Sequence, residues 1–195
     1  GRNIHRIVGA TVSASVWGVT SIDLDVAKAF VNLQMALKLN SLTSIDKDVA
    51  QELAKCQTLE LNGLTSIDKD VAQGLVSSTG VLFLNGLTSI DKDVAQEFAM
   101  FPGVLKLNKL TSINEDVAQE LVKFQGRSLA LDGLTAIDQK TFSILKVNPK
   151  LSLPDIKFEP ADVPAITGTV DDTFKKRLMA RGRDGSHPLL TSLTV

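Results

Sequence analysis

The sequence predicts an α/β solenoid, in which about six similar units, each a short strand, a turn and a helix, stack on one another. Three observations predict this fold. The phrase LTSIDKDVAQ occurs unchanged at 42–51, 64–73 and 87–96. Related segments continue the same spacing before and after these copies. Within each copy, an alternating apolar pattern gives way to a helical one.

The spacing of the units is nearly constant. Measured at the first Asp of the phrase, successive copies are 23, 22, 23, 23 and 24 residues apart. Such a period excludes ankyrin, tetratricopeptide and HEAT arrays, and it lies within the range of about 20–29 residues that leucine-rich repeats show. The anchor positions are Asp23, Asp46, Asp68, Asp91, Asn114 and Asp138.

The third copy shows how the elements of a unit are assigned. Leu59 and Leu61 are two residues apart, which is the alternation of a short strand with one buried side. Val71, Ala72 and Leu75 follow at positions i, i+1 and i+4, which places them on one face of a helix.

Stacking is predicted because a unit of this length cannot bury its apolar face alone. Equivalent apolar residues of successive units then form ladders through the core. One predicted ladder consists of Ile22, Ile45, Ile67, Ile90, Ile113 and Ile137. A second consists of Leu37, Leu59, Leu82, Leu105 and Leu129, with Ala14 as a smaller first member.

The acids of the repeated phrase have two competing interpretations. The anchor precedes the helical stripe, where Asp or Asn caps a helix, and Asn114 keeps the cap without the charge. The second acid falls in the first helical turn, where the helix dipole favours it. The alternative is a calcium site, but calcium needs more oxygen ligands, and lysines separate the acids. The second acids are Asp25, Asp48, Asp70, Asp93 and Asp116, with Lys140 in copy six, and the lysines are Lys47, Lys69 and Lys92.

Polar and small residues predict further features of the turns. We expect Asn40, Asn62, Asn85 and Asn108, with Asp132 in copy six, to form a hydrogen-bonded ladder at the strand ends. We expect a hydroxyl ladder of Thr20, Thr43, Thr65, Thr88, Thr111 and Thr135 beside it. Gly80, Gly103 and Gly126 are predicted to end helices in the left-handed conformation.

The units resemble a known family. The segment LFLNGLTSID at 82–91, followed by DVAQEFA at 93–99, is similar to short bacterial leucine-rich repeats of the LxLNGLTSL type, known from planctomycete-like genomes. The similarity covers about 13–150 and departs from the LxxLxLxxNxL motif, since Asn62 directly follows the second strand leucine. The resemblance implies a right-handed solenoid with a parallel β-sheet on one face and α-helices on the other, used mainly to bind other proteins.

The exposed face of that sheet is the candidate binding surface. Its outward rows are Ser15, Lys38, Glu60, Phe83, Lys106 and Ala130, and Ser13, Ala36, Thr58, Val81, Val104 and Ser128. Near the middle, Val81, Phe83 and Val104 form an apolar cluster rimmed by Lys38, Glu60 and Lys106, as in many protein-binding sites. The alternatives are contact with the chain's own tail or a neighbouring molecule, or one exposed aromatic residue without a function.

Composition narrows the functional classes. A net charge of -1 gives no reason to expect nucleic-acid binding, and no apolar run is long enough to span a membrane. The only histidines are His5 and His187, and Cys56 lies in a variable helix-to-strand connection with no repeat partner. No zinc spacing, phosphate-binding loop or nucleophile elbow is present. We therefore expect no catalysis, metal or cofactor. Segment 7–19 lacks the centre of a signal peptide, which favours a cytoplasmic location.

Three regions are predicted along the chain. Residues 1–12 form an N-terminal lead-in or cap, 13–150 form the solenoid, and 151–195 form a strand, a proline-rich connection and a capping helix or tail. We expect the helix at 169–181 and expect its bases to be solvated, against the alternative that they contact an acidic partner or nucleic acid. These bases are Lys175, Lys176, Arg177, Arg181 and Arg183.

The leading functional prediction is a non-catalytic repeat scaffold that mediates protein-protein interaction through the sheet face. The alternative is a structural spacer segment of a larger multidomain protein, with no binding site of its own.

Overall fold

A computed structural model of the chain describes residues 13–158, with side chains from Ser15 onward. It confirms the α/β solenoid. Within the described range, seven short strands form one parallel sheet in chain order and six helices alternate with them. The compact unit that contains the sheet ends at Ile156. The predicted lead-in at 1–12 and the predicted basic helix at 169–181 lie outside the described residues.

Every strand pairs only with its neighbours in sequence, so each unit adds one strand to the sheet. The strands are β1 Ser13–Ser15, β2 Ala36–Lys38, β3 Thr58–Glu60, β4 Val81–Phe83, β5 Val104–Lys106, β6 Ser128–Ala130 and β7 Leu151–Ser152. The helices are α1 Leu24–Val31, α2 Lys47–Leu53, α3 Lys69–Leu75, α4 Lys92–Ala99, α5 Glu115–Leu121 and α6 Gln139–Leu145.

The core lies between the sheet and the helices. The register places Leu82 of β4 between Leu59 and Leu105, so the predicted leucine ladder is formed. From Leu37 to Leu129 its members are fully buried. The isoleucine ladder packs against the same core from partly buried positions. Both ladders join strand and helix side chains into one apolar cluster.

The anchor residues cap the helices, as the sequence predicts. At each of the six described helices, the anchor side chain accepts a hydrogen bond of 2.8–2.9 Å from the backbone amide three residues later. Asn114 accepts the same bond from Val117 at 2.9 Å, so the cap requires an oxygen and not a charge. The capping interpretation is therefore confirmed.

Replacing the cap of α4 should separate the contribution of the hydrogen bond to stability from the contribution of the charge. Asp91→Ala removes the bond to the amide of Val94 and should lower the free energy of unfolding by about 1 kcal/mol. Asp91→Asn keeps that bond and should cost much less, since Asn114 performs the same role one unit later. Urea denaturation followed by circular dichroism measures both. An equal loss for the two variants would show that the charge, and not the cap, stabilises the helix.

The lysine of the repeated phrase links neighbouring units on the helical face. Lys47 Nζ donates to Gln73 Oε1 at 2.6 Å and lies 3.5 Å from Asp70 Oδ1. Between the fifth and sixth copies the charges are exchanged, since Glu115 stands at the lysine position and Lys140 at the second-acid position. Lys140 Nζ there reaches back to Glu115 Oε2 at 2.7 Å. Exposed pairs of this kind contribute less than about 1 kcal/mol each. The second acids therefore lie on a solvated helical surface beside lysines.

The asparagine ladder forms over three steps and then stops. The amide of Asn62 donates to Asn40 Oδ1 at 3.1 Å, and the pattern repeats at Asn85 and Asn108. The predicted continuation to Asp132 is wrong, because the Asp132 amide does not donate to Asn108 Oδ1. The Asp132 carboxylate accepts from the hydroxyl of Ser152 on β7 at 2.6 Å. Asn108 Oδ1 is left buried without a described hydrogen-bond partner.

The predicted hydroxyl ladder of threonines is wrong. These side chains are exposed to water, so their hydroxyls have no need of a ladder. Among the described threonines of this row, only Thr43 donates its hydroxyl to a neighbour, the carbonyl of Thr20 at 3.3 Å. The units are joined here by backbone bonds instead, such as the Thr88 amide to the Thr65 carbonyl at 3.4 Å.

The predicted left-handed role of Gly80, Gly103 and Gly126 is also wrong. Among the described glycines, only Gly18 has a positive φ. Gly80, Gly103 and Gly126 lie at the N-terminal edge of the sheet, where a Cβ atom would collide with a backbone carbonyl of the preceding unit. For Gly103 that carbonyl belongs to Gly80. Glycine is needed there because stacked backbones approach closely.

One core column varies along the array and was not recognised in the sequence. It lies ten residues after each anchor and consists of Leu33, Cys56, Ser78, Phe101, Phe124 and Asn148. Cys56 therefore has repeat equivalents, contrary to the prediction that it has none. From Cys56 to Phe124 these side chains are buried, although their sizes differ greatly.

Candidate binding face of the sheet

The register brings the six predicted site residues together on four consecutive strands. In the outer row, Lys38 pairs with Glu60, Glu60 with Phe83, and Phe83 with Lys106. In the row before it, Val81 of β4 pairs with Val104 of β5. The sheet therefore presents one apolar cluster, Val81, Phe83 and Val104, with charged residues on its flanks. Its role in binding stays a prediction.

The apolar cluster is half-buried, and the charged group of a neighbouring residue lies over the ring of one member. In β4 and β5 the first and third residues are partly exposed, while the middle leucine is buried. Lys106 Nζ lies 5.3 Å from the centroid of the Phe83 ring, within range of a cation–π contact. A partner that covers Phe83 therefore also meets the Lys106 ammonium group.

Glu60 is held by two neighbours on the other flank of the cluster. Its Oε1 lies 2.9 Å from Lys38 Nζ, and its Oε2 accepts a hydrogen bond of 3.1 Å from Asn40 Nδ2. Burial of this side chain, which is 17% exposed, opposes its ionisation. The hydrogen bonds from Lys38 and Asn40, with the charge of Lys38, outweigh burial and lower the pKa of Glu60 below its ordinary value. The carboxylate is therefore charged and internally neutralised.

The lowered pKa of Glu60 predicts a pH-dependent stability difference between the wild type and Glu60→Gln. A carboxyl with a lowered folded pKa stabilises the fold above its ordinary pKa of 4.5, and this contribution is lost as pH falls through the folded value. Unfolding free energies measured between about pH 7 and about pH 3 should therefore converge for the two proteins at the acidic end. The same comparison in a Lys38→Met background should give a smaller difference at neutral pH. A difference that does not change with pH would contradict this assignment.

Arg127 lies at the N-terminal edge of the sheet and was not identified in the sequence. Its Nη2 donates to the carbonyl of Thr79 at 2.6 Å and lies 3.4 Å from that of Gly80. The contact spans two units along the N-terminal edge of the sheet. Gly103 stands at the equivalent position of the unit between them and carries no side chain. A base that follows two glycines in this column is the signal that could have identified this residue.

The described residues offer little chemistry elsewhere. Burial and then the charge of Glu52 raise the pKa of the Cys56 thiol, so it is protonated at neutral pH. In the part of the chain that the structure describes, no group of three or more His, Cys, Asp or Glu side chains is arranged to hold a metal ion. Within the same range, no helix is long and apolar enough to cross a membrane.

No protein-family model matches the chain, and no curated protein shows significant similarity to it. The resemblance to bacterial leucine-rich repeats therefore stays a prediction, which the repeated phrase alone supports. Function must be inferred from the chemistry of the sheet face.

Proposed function

We propose that the chain is a non-catalytic repeat scaffold of the bacterial leucine-rich-repeat type that binds another protein through the exposed sheet face. The observation that supports this most is the cluster of Val81, Phe83 and Val104 on adjoining strands. Apolar residues surrounded by a polar rim are typical of the energetically important centre of a protein interface.

The frame behind the cluster is suited to recognition. Each strand is hydrogen-bonded to its neighbours, and the helices pack on one another behind the sheet, so a partner meets a rigid surface. A rigid surface loses little conformational entropy on binding. The inward leucines repeat from unit to unit, whereas the combination of the two outward residues differs between units. Variation on a constant frame favours a specific partner.

The state of the cysteine supports a non-catalytic role. Nucleophilic catalysis requires an accessible thiolate, and Cys56 is a buried thiol with a raised pKa. The two histidines of the chain, His5 and His187, lie outside the described residues.

One observation favours the second candidate, a structural spacer segment of a larger protein. The charged rim is partly satisfied within the chain, because Lys38 pairs with Glu60 and Lys106 lies on the Phe83 ring. A surface that satisfies its own charges needs no partner to do so.

Replacing Phe83 separates the two candidates. The wild type, Phe83→Glu and a control, Met100→Glu, are immobilised in turn, and the proteins captured from a bacterial extract are quantified by mass spectrometry. Met100 is a suitable control because it is apolar, 67% exposed and located at the C-terminal end of α4. If the scaffold binds through its sheet face, Phe83→Glu should weaken capture of the partner by at least about 2 kcal/mol, roughly 30-fold, while Met100→Glu retains it.

The same set of captured proteins for all three chains would support the spacer. Circular dichroism and denaturation must show that each variant keeps the fold, so that lost binding reflects the face itself.

A further inference from the structure

The charges around the apolar cluster are unevenly neutralised. On its β3 side, the Glu60 carboxylate pairs with Lys38 at 2.9 Å. On its β5 and β6 side, neither Lys106 nor Arg127 lies within ion-pair distance of any described carboxylate. Lys106 contacts a ring and Arg127 contacts backbone carbonyls. Two cations next to the cluster thus have no anionic partner among the described residues.

These two cations border the cluster at opposite ends of its strands. Lys106 follows Val104 by two residues and covers the ring of Phe83 in the outer row. Arg127 approaches the Gly80 carbonyl, which also accepts the backbone amide of Val104 at 3.0 Å. Its guanidinium therefore lies at the edge of the sheet where Val81 and Val104 begin β4 and β5. An apolar group placed on the cluster would have a cation near either end of the strands.

Covering the cluster removes water from both cations. A buried cation without an anionic partner is strongly disfavoured, so an apolar or basic partner would be penalised at this position. A carboxylate offsets that cost, and the guanidinium uses only one of its two terminal nitrogens on carbonyls, which leaves further N–H donors for a carboxylate.

We infer that the partner of this face is an acidic protein segment, which places an apolar side chain on Val81, Phe83 and Val104 and carboxylates next to Lys106 and Arg127. The inference rests on the proposed function, because it names the chemistry of the protein that the sheet face binds. A nucleic acid fits less well. Its regularly spaced phosphates would also meet the charged Glu60, which neighbours Phe83 in the same row.

A selection from random peptides tests the inference. A phage-displayed library of random peptides is panned against the full chain, and one selected peptide is labelled for fluorescence anisotropy. Selected sequences should combine Asp or Glu with Leu, Ile, Phe or Trp, and their affinity should fall with rising salt. Lys106→Glu and Arg127→Glu should each weaken binding about tenfold or more, and Lys106→Met should weaken it less.

Lys92→Glu is the matched control and should leave binding unchanged. Lys92 lies at the start of α4, on the helical side, and the fifth unit already carries Glu115 at the equivalent position. Lys106→Met removes the charge but keeps most of the aliphatic side chain, so it distinguishes loss of the charge from a change in the packing of Phe83. Circular dichroism of each variant confirms the fold.

Four results would overturn the inference, and they differ in what they mean for the proposed function. The selected peptides could be apolar and lack acids, and bind Lys106→Glu but not Phe83→Glu. The sheet face would then be a binding site for another kind of partner. Peptides that bind Phe83→Glu as well as the wild type would count against both proposals. Failure to enrich any peptide would also count against both. Tighter binding of a labelled oligothymidylate probe, lost in Lys106→Glu, would assign the face to nucleic acid.

Discussion

Phe98→Ala should lower the free energy of unfolding by about 3–5 kcal/mol, because Phe98 is a large side chain in the middle of the array with no exposed surface. The helical position it occupies is filled by leucine in the units before and after it, at Leu75 and Leu121. Those neighbours are themselves fully buried and held by their own units, so they cannot move to fill the space. The cavity would therefore persist.

Phe98→Leu is the matched control for this prediction. It places in the fourth unit the residue that the third and fifth units already have, and should cost only about 1 kcal/mol. Guanidinium denaturation followed by circular dichroism measures both variants. Equal losses for Ala and Leu would show that ring shape, and not the cavity, determines the cost.

The same substitution should broaden the unfolding transition. The stability of a stacked array is a sum over units and the interfaces between them, and α4 packs on both α3 and α5. A defect in α4 weakens two interfaces and allows the first and last units to unfold separately. A lower denaturant dependence in Phe98→Ala than in the wild type would report this loss of cooperativity.

Gly103→Ala should destabilise the chain by about 3 kcal/mol, the upper range for an added methyl group in a packed interior. The new Cβ would collide with the carbonyl oxygen of Gly80 and lie 2.9 Å from the ring of Phe101. The backbone cannot retreat, because the Gly80 carbonyl is bonded at 3.0 Å to the amide of Val104, the residue that follows.

Gly18→Ala is the control that separates crowding from backbone conformation. Gly18 has a φ of +77° and no atom within 4 Å of an added Cβ. Its replacement should cost about 1 kcal/mol from strain alone. Both variants are compared by thermal and chemical denaturation. A loss at Gly103 no larger than that at Gly18 would mean that the strands can separate to admit a methyl group.

The architecture was predictable because one pattern is repeated along the chain. The sequence of a single unit does not determine the fold. Equivalent leucines at a constant spacing do, because only stacking of the units can bury them. The helix caps were predictable because an Asp before a helix acts on amides three residues away, within its own unit. The rows of the sheet face followed from the same spacing, since each unit contributes one residue to each row.

The failures share a physical cause, which is contact between units. The glycine at 103 has an ordinary conformation and is required only because a carbonyl of the preceding unit lies against it. Arg127 bonds to Thr79, 48 residues away, which no local rule anticipates. The position of the Lys106 ammonium over Phe83 depends on a side-chain rotamer. Sequence spacing therefore locates the candidate site but does not predict how its charges are partnered.

The variable core column helps the units to stack in the correct order during folding. Three units share an identical phrase, so one of them could take the place of the next, within a chain or between chains, with nearly the same ladders. Because the residues of the column differ in size, such an exchange lowers the stability of the core. A shift by one unit would force Phe101 into the space of Ser78, or leave Ser78 in a space shaped for a ring, and either overpacking or a cavity results. The least regular residues of the core thus assign each identical phrase to its own place in the stack.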